Sequence, residues 1–227
     1  DLPITVKLNE DGLPNFLGAF VQGPTNQRFI YIDIGTYAGQ GDGGKTGGQF
    51  DNSIAIGVNA GRYGQGQTGG DIFSGNVAIG KESGTFYQSA NAISIGRTSA
   101  QFSQKLGAIA IGHQSGHYTQ GEYSTAIGYQ SGNITQQDDA VAIGYLAGKY
   151  NQGNCSVAIG CNAGEGLTGP SGATGGQGSE SVAVGRFAGQ LYQGNQSVAV
   201  GFQAGQTNQG PLNIAIGYRA GQNNQTF

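Results

Sequence analysis

The chain is poor in charge. Asp, Glu, Lys and Arg make up only 10% of its 227 residues, and the net charge is −3. That balance excludes the basic surface a nucleic acid needs, and no Lys/Arg run offers a site for lipid headgroups. Long apolar runs are missing as well: nothing approaches the ~20 residues of a membrane-spanning helix. Pro is scarce, at 5 residues, and Cys is limited to Cys155 and Cys161. If the segment between the two Cys is extended at ~3.3 Å per residue, they stand roughly 20 Å apart. A disulfide needs Cα atoms within about 7 Å, so no bridge is expected within one chain.

What the chain has instead is Gly, 45 residues of it, about three times the usual share. Each Gly in a helix interior costs roughly 1 kcal/mol, which excludes an ordinary helical or α/β domain. The Gly residues are also periodic. Gly35, Gly57, Gly80, Gly96, Gly112, Gly128, Gly144, Gly160, Gly185, Gly201 and Gly217 each close a tetrapeptide similar to VAIG. Seven of the ten intervals are sixteen, as from Gly80 to Gly96. The other three, which end at Gly57, Gly80 and Gly185, are longer and contain Gly-rich insertions. A short fixed period is the signature of a repeat architecture.

Numbering each unit from this Gly as zero, position −1 is always Ile or Val: Ile34, Ile56, Ile79, Ile95, Ile111, Ile127, Ile143, Ile159, Val184, Val200 and Ile216. Position −3 is Ile or Val except at Thr125, and position −2 is Ala except at Asp33 and Ser94. β-branched residues two apart with a small residue between them read as a strand with one large and one small face. The large face is the expected buried one, so the Ile/Val ladder from Ile56 to Ile216 is the expected dry core, and Ile127→Asp is expected to disrupt it. A small residue and Gly recur at +3 and +4, as a turn would require. Bulky residues occupy +6 from Tyr63 to Tyr150, and Gln fills +8 in Gln88, Gln104, Gln120, Gln136 and Gln152. Stacked at ~4.8 Å, these Gln residues can form an amide ladder. The unit is thus one coil of an all-β parallel solenoid, about eleven coils long, with the three insertions expected to emerge at one phase after the +4 turn.

The stretches NSIAIG (52–57), CSVAIG (155–160) and QSVAVG (196–201) resemble the head repeat of trimeric autotransporter adhesins, the YadA-like or Hep-Hag "NSVAIG" repeat. TAIGYQSG (125–132) and IAIGYRAG (214–221) are similar to repeats of phage and large-virus fibre proteins. The resemblance spans residues 31–227. It implies a left-handed parallel β-roll, a homotrimer, and a surface that binds matrix or host-cell components. It also implies that small residues such as Ala78, Ala110, Ser115 and Ala142 permit close approach. The unit departs from that family in its sixteen-residue length and its Ala-Gly turn. No coiled-coil stalk or membrane barrel accompanies the repeats, so direct membrane insertion is not expected.

Several motifs mimic chemistry. GQGDGGKT (39–46) satisfies the phosphate-loop pattern, but that loop must open a helix, and here Gly47, Gly48 and the next repeat follow. GPSGATG (169–175) reads as collagen-like triplets too few to hold a triple helix. His113 and His117 share a helix face only if there is a helix, and no third metal ligand is in phase. Asp138-Asp139 reads as a solvated turn. No catalytic set recurs, so neither an enzyme nor a cofactor is expected. Position +1 varies freely, which marks it as solvent-facing. Its aromatic members Tyr129, Tyr145, Phe202 and Tyr218 form a candidate contact row for a host-surface protein or glycan.

Residues 1–30 do not repeat. Ile4–Leu8 alternates like a strand, and Leu13–Val21 is apolar enough to cap the core. The repeats stop inside a unit at 222–227, and the open strand edges there are expected to be covered by further chain, a trimer partner or a stacking subunit. The expectation is an extracellular, cell-surface or virion-surface fibre of structural and adhesive character, homotrimeric. The alternative is a filament protomer whose coils stack end to end through residues 1–30.

Overall fold

The computed structural model describes residues 21–22, 28–29, 32–40, 53–65, 75–169 and 172–225. The strand and cap expected at Ile4–Leu8 and Leu13–Val21 lie outside these, save Val21. Val21–Gln22 pairs antiparallel with Arg28–Phe29.

Every unit contributes one strand at −3 to −1, from Ile32–Ile34 to Ile214–Ile216, and together these form one 11-stranded parallel sheet. Its register follows the repeat, with Ala126 opposite Ala110 and Ala142. A second strand at +6 to +8 builds a shorter parallel sheet, five strands from Phe86–Gln88 to Tyr150–Gln152, resumed by the pair Leu191–Gln193 and Thr207–Gln209. Backbone groups between the sheets bond from coil to coil, as in Gly128 N–H to Ile111 C=O at 2.8 Å and Gly132 N–H to Ala147 C=O at 2.9 Å. The result is a β-solenoid.

The insertions do not share one phase. The first lies almost wholly outside the described residues. The second coil is regular through Tyr63, which bridges to Phe86, and Gln65, which bonds Gln88, so its extra residues follow +8. The third departs after Gly166, whose N–H still reaches Gln190 C=O, and rejoins at Gln177, opposite Gln193. Between them runs an antiparallel hairpin, Leu167–Gly169 with Gly172–Thr174, where collagen-like triplets stand in the sequence.

The interior reverses the expected sidedness. Ala at −2 is buried, as are Ala or Ser at +3 in every coil before the last and the Gln residues of the ladder from Gln65 to Gln209, and the apolar clusters of the core contain Ala alone. The Ile/Val ladder points outward: Ile56, Ile79, Ile95, Ile111, Ile127, Ile143, Val184 and Val200 are half-buried, and Ile159 and Ile216 are exposed. The reason is the width of the coil. The side chain of Gln120 spans it, Nε2 donating to Ile109 C=O on the opposite sheet at 2.7 Å, and Gln136 and Gln152 do the same to Thr125 and Val141. Opposite each of these Gln residues stands the +4 Gly. A Cβ on Gly148 would fall 2.5 Å from Gln152 Oε1. At position zero, a Cβ on Gly144 would fall 2.6 Å from the carbonyl oxygen of Gly160 in the next coil, and its φ of +131° is one that Gly adopts without strain. An interior this narrow admits a methyl group but not a sec-butyl group, so the β-branched residues are expelled.

The donors of the buried Gln amides are bonded. Gln88 Nε2 donates to Val77 C=O, Ala92 C=O and Gln104 Oε1 at 3.0, 3.0 and 3.1 Å, sharing two protons among three acceptors. The amide ladder runs in three segments, beginning at Gln65, Gln136 and Gln193, whose Oε1 atoms accept no bond. Ser131 and Ser115 donate to the −2 carbonyls of Ala142 and Ala126.

Asp33 breaks the pattern. It occupies an interior −2 position, is 9% exposed, and its Oδ1 accepts no hydrogen bond. Burial pushes its carboxyl up to about 6. The folded state therefore binds this proton more tightly than the unfolded chain, and the stability it brings is present in acid and lost as pH rises through 6. Asp33→Ala is expected to raise stability at pH 7 by about 1–3 kcal/mol, the usual cost of an unpaired buried polar group, and to leave it unchanged near pH 3. Melting curves at the two pH values check this.

The sidedness has its own test. Ala142→Leu is expected to cost at least about 3 kcal/mol, at the upper end of overpacking. The neighbouring outward substitution Ile143→Thr is expected to cost under about 1.5 kcal/mol, because that side chain is only half-buried. Urea unfolding of the two variants beside the parent chain distinguishes them.

Candidate functional site

Since the interior is filled, any function lies on the outer surface, which has three parts. The outer face of the long sheet carries the two aliphatic ladders at −3 and −1, interrupted only by Thr125. Ile32, Ile34 and Ile159 are 42%, 43% and 38% exposed. One strand per coil at ~4.8 Å makes this an apolar strip on the order of 50 Å long.

The turn that follows Gly zero carries the expected contact row. Tyr129, Tyr145 and Tyr218 are exposed and Phe202 is half-buried. The structure brings them together in two groups, His113–Tyr129–Tyr145 stacked at 5.3 and 5.2 Å, and Phe202–Tyr218 at 5.5 Å, with Cys161 and Arg186 between. Rings stacked face to face offer their edges and hydroxyls to a partner, and not the faces on which a sugar would stack. The guanidinium of Arg186 lies over the rings of Phe187 and Phe202.

The outer face of the short sheet carries a second aromatic column. Tyr63, Phe86, Phe102 and Tyr118 stack at 5.1, 5.2 and 5.2 Å, and Arg62 lies between Tyr37 and Tyr63, 4.4 and 4.6 Å from the ring centres. Beside this column, Lys105 Nζ bridges two coils to Asp138 Oδ1 at 3.2 Å. The Asp138 carboxyl is held below its ordinary range, first by the Glu122 N–H that bonds Oδ1 at 2.9 Å and then by Lys105. Sequence reasoning took Asp138 for a simple turn residue, because its partner Lys105 stands two coils away in the stack.

The remaining motifs come apart. Of the phosphate-loop mimic only Gly39 and Gln40 are described, and the Gly39 N–H is already bonded to Ala60 C=O at 2.9 Å. His113 stacks on Tyr129, while His117 is buried with Nε2 2.8 Å from Gln101 Oε1 and its ring edge-on to Phe102 and Tyr118. Among the described residues no group of three potential ligands gathers to hold a metal. Cys155 and Cys161 are unpaired thiols, and the Gln ladder lies in the interior, away from any partner.

Residues 120–147 match the model of the YadA head domain repeat, in two copies. Residues 1–45 match a family of unknown function, DUF5990. No curated protein matches the chain, and no solved structure does. The YadA match falls in the most regular part of the rod and covers the Gln120 and Gln136 rungs, the stacked Tyr129, and Asp138.

His117 gives this surface a pH dependence. Burial and the neighbouring His113 charge both hold its pKa below 6.5. The fold favours the neutral ring, so its contribution is complete above pH 6.5 and declines as pH falls below that value. His117→Asn is expected to lose less stability than the parent chain between pH 7 and pH 5. The difference in melting temperature between the two proteins, followed across that range, checks it.

Proposed function

We propose that this chain is the head of a homotrimeric, surface-exposed adhesin, in which three solenoids pack through the outward Ile/Val face of the long sheet and present the opposite face to host or matrix components. The observation that carries the reading is the apolar face itself. Isolated soluble proteins rarely leave a contiguous apolar strip larger than a few hundred Å² uncovered, and a strip of this length is what an interface between copies requires. The match of residues 120–147 to the YadA head repeat supports the number three and the surface location. The match to the YadA head repeat also favours a structural and adhesive role over a catalytic one. The N-terminal residues 1–30 are proposed as a separate segment joined to the repeat domain.

Light scattering on the full chain is expected to give a discrete species near three times the chain mass of 23.1 kDa. Ile127→Asp combined with Ile143→Asp is expected to yield monomers with unchanged β-structure by circular dichroism, since both side chains point away from the core. Long rods of undefined mass would instead mean end-to-end stacking into a filament, and a monomeric parent chain would refute the assembly.

A further inference from the structure

Position +9 runs along the border of the short sheet through Lys105, Gly121, Gln137 and Gly153 in successive coils. Gly121 has no room for a side chain, because a Cβ there would fall 2.5 Å from the backbone nitrogen of Asp138. The row therefore carries no side chain between Lys105 and Gln137. A notch of about 220 Å³ lies here, lined by Lys105, Thr119, Thr135, Gln137, Asp138 and Asn154.

Two of these groups form the Lys105–Asp138 ion pair, so the walls carry no net charge. The others hold hydrogen-bonding capacity in reserve. Among the described residues, the side chains of Thr119, Thr135 and Gln137 bond to nothing. Asn154 commits only its Oδ1, which accepts the Asp138 N–H at 3.2 Å and leaves the NH₂ group free. Elsewhere on the rod, surface amides close on one another in ladders, Gln130 on Gln114 at 2.7 Å, Gln206 on Gln190 at 2.9 Å and Gln222 on Gln206 at 3.0 Å. The side chains of Thr119, Thr135 and Gln137 in the notch form no such ladder.

A ligand for such a site must both donate and accept, must be uncharged, and must be small. The volume is below the roughly 300 Å³ at which drug-sized pockets begin, and the lining sets hydroxyl, amide and carboxylate groups within a larger aliphatic surface, which suits the mixed C–H and O–H surface of a sugar ring. Hydroxyl groups on a ring meet all three conditions, each being one donor and two acceptors. We infer that the notch is a subsite for one neutral pyranose residue of a glycan. This rests on the adhesive reading above and names its ligand class. The short sheet lies across the coil from the Ile/Val ladders, so the notch stays open when that apolar face is covered. Three notches in one head then combine weak single contacts into avid binding.

The test is saturation-transfer NMR on the full chain with the methyl glycosides of galactose, glucose, mannose and N-acetylglucosamine, and with N-acetylneuraminic acid as the charged control. Transfer to at least one neutral glycoside is expected, reduced about tenfold by Gln137→Ala and by Asp138→Asn. Gln137 makes no side-chain bond, and the amide oxygen introduced by Asp138→Asn can still accept the Glu122 N–H. Both variants are therefore expected to keep the parent's circular dichroism and melting temperature. Transfer to none of the neutral glycosides, transfer to N-acetylneuraminic acid alone, or transfer that survives both substitutions would overturn the inference. Binding of the same proteins to cultured cells and matrix-coated plates separates the two readings. Parent and variants adhering equally would remove the notch and keep the adhesin, whereas glycoside binding without adhesion would keep the notch and remove the adhesin.

Discussion

The amide of each +8 Gln reaches from the short sheet to a carbonyl of the long one, Gln120 to Ile109 at 2.7 Å being typical, and the coil is no wider than that reach. The other features of the cross-section adapt to this distance. Gly at +4 vacates the volume the amide fills, Ala at −2 and Ala or Ser at +3 floor the remaining space, and Gly at zero lets adjacent coils approach to backbone contact. Such a core buries little hydrocarbon. Its cohesion comes from ladder hydrogen bonds and amide columns, each modest alone at roughly 0.5–1.5 kcal/mol and repeated along the rod.

The same narrowness shapes the outside. A fold that cannot store its large aliphatic residues internally must display them, and strand alternation collects them on the long sheet. One face is thereby left apolar, while the short sheet and the turns carry stacked rings, amide ladders and the Lys105–Asp138 notch. The two faces the proposed head would use, one to assemble and one to present, both follow from coil thickness.

The repeat, the strand at −3 to −1, the turn Gly residues and the parallel stacking were legible in the sequence because each recurs at a fixed phase. The sidedness of the strand was not. Alternation reports that two faces differ, and the habit of placing Ile inside and Ala outside holds for cores deep enough to take Ile. Gln at +8 was the clue to a thin coil: a ladder of buried amides needs carbonyl acceptors within one side chain's length. The phases of the insertions were obscured by their own Gly content, and Gln65 and Gln177 locate them only once each is seen opposite a Gln of the next coil. The notch was invisible because Lys105, Thr119, Asp138 and Asn154 are brought together by stacking across coils, and Gly121 in its wall is one Gly among 45.

The amide columns also give the rod a direction. In every segment the Nε2 of one Gln points to the Oε1 of the next in chain order, from Gln65 through Gln88 and Gln104 to Gln120, so the amide dipoles add along the axis. Each column opens on a bare carbonyl oxygen, as at Gln65, and closes on an amide group. Two stretches of such a rod can therefore be spliced only head to tail, since the reverse sense would set carbonyl against carbonyl. Whole coils can be gained or lost without penalty to the column, but a coil cannot be turned round.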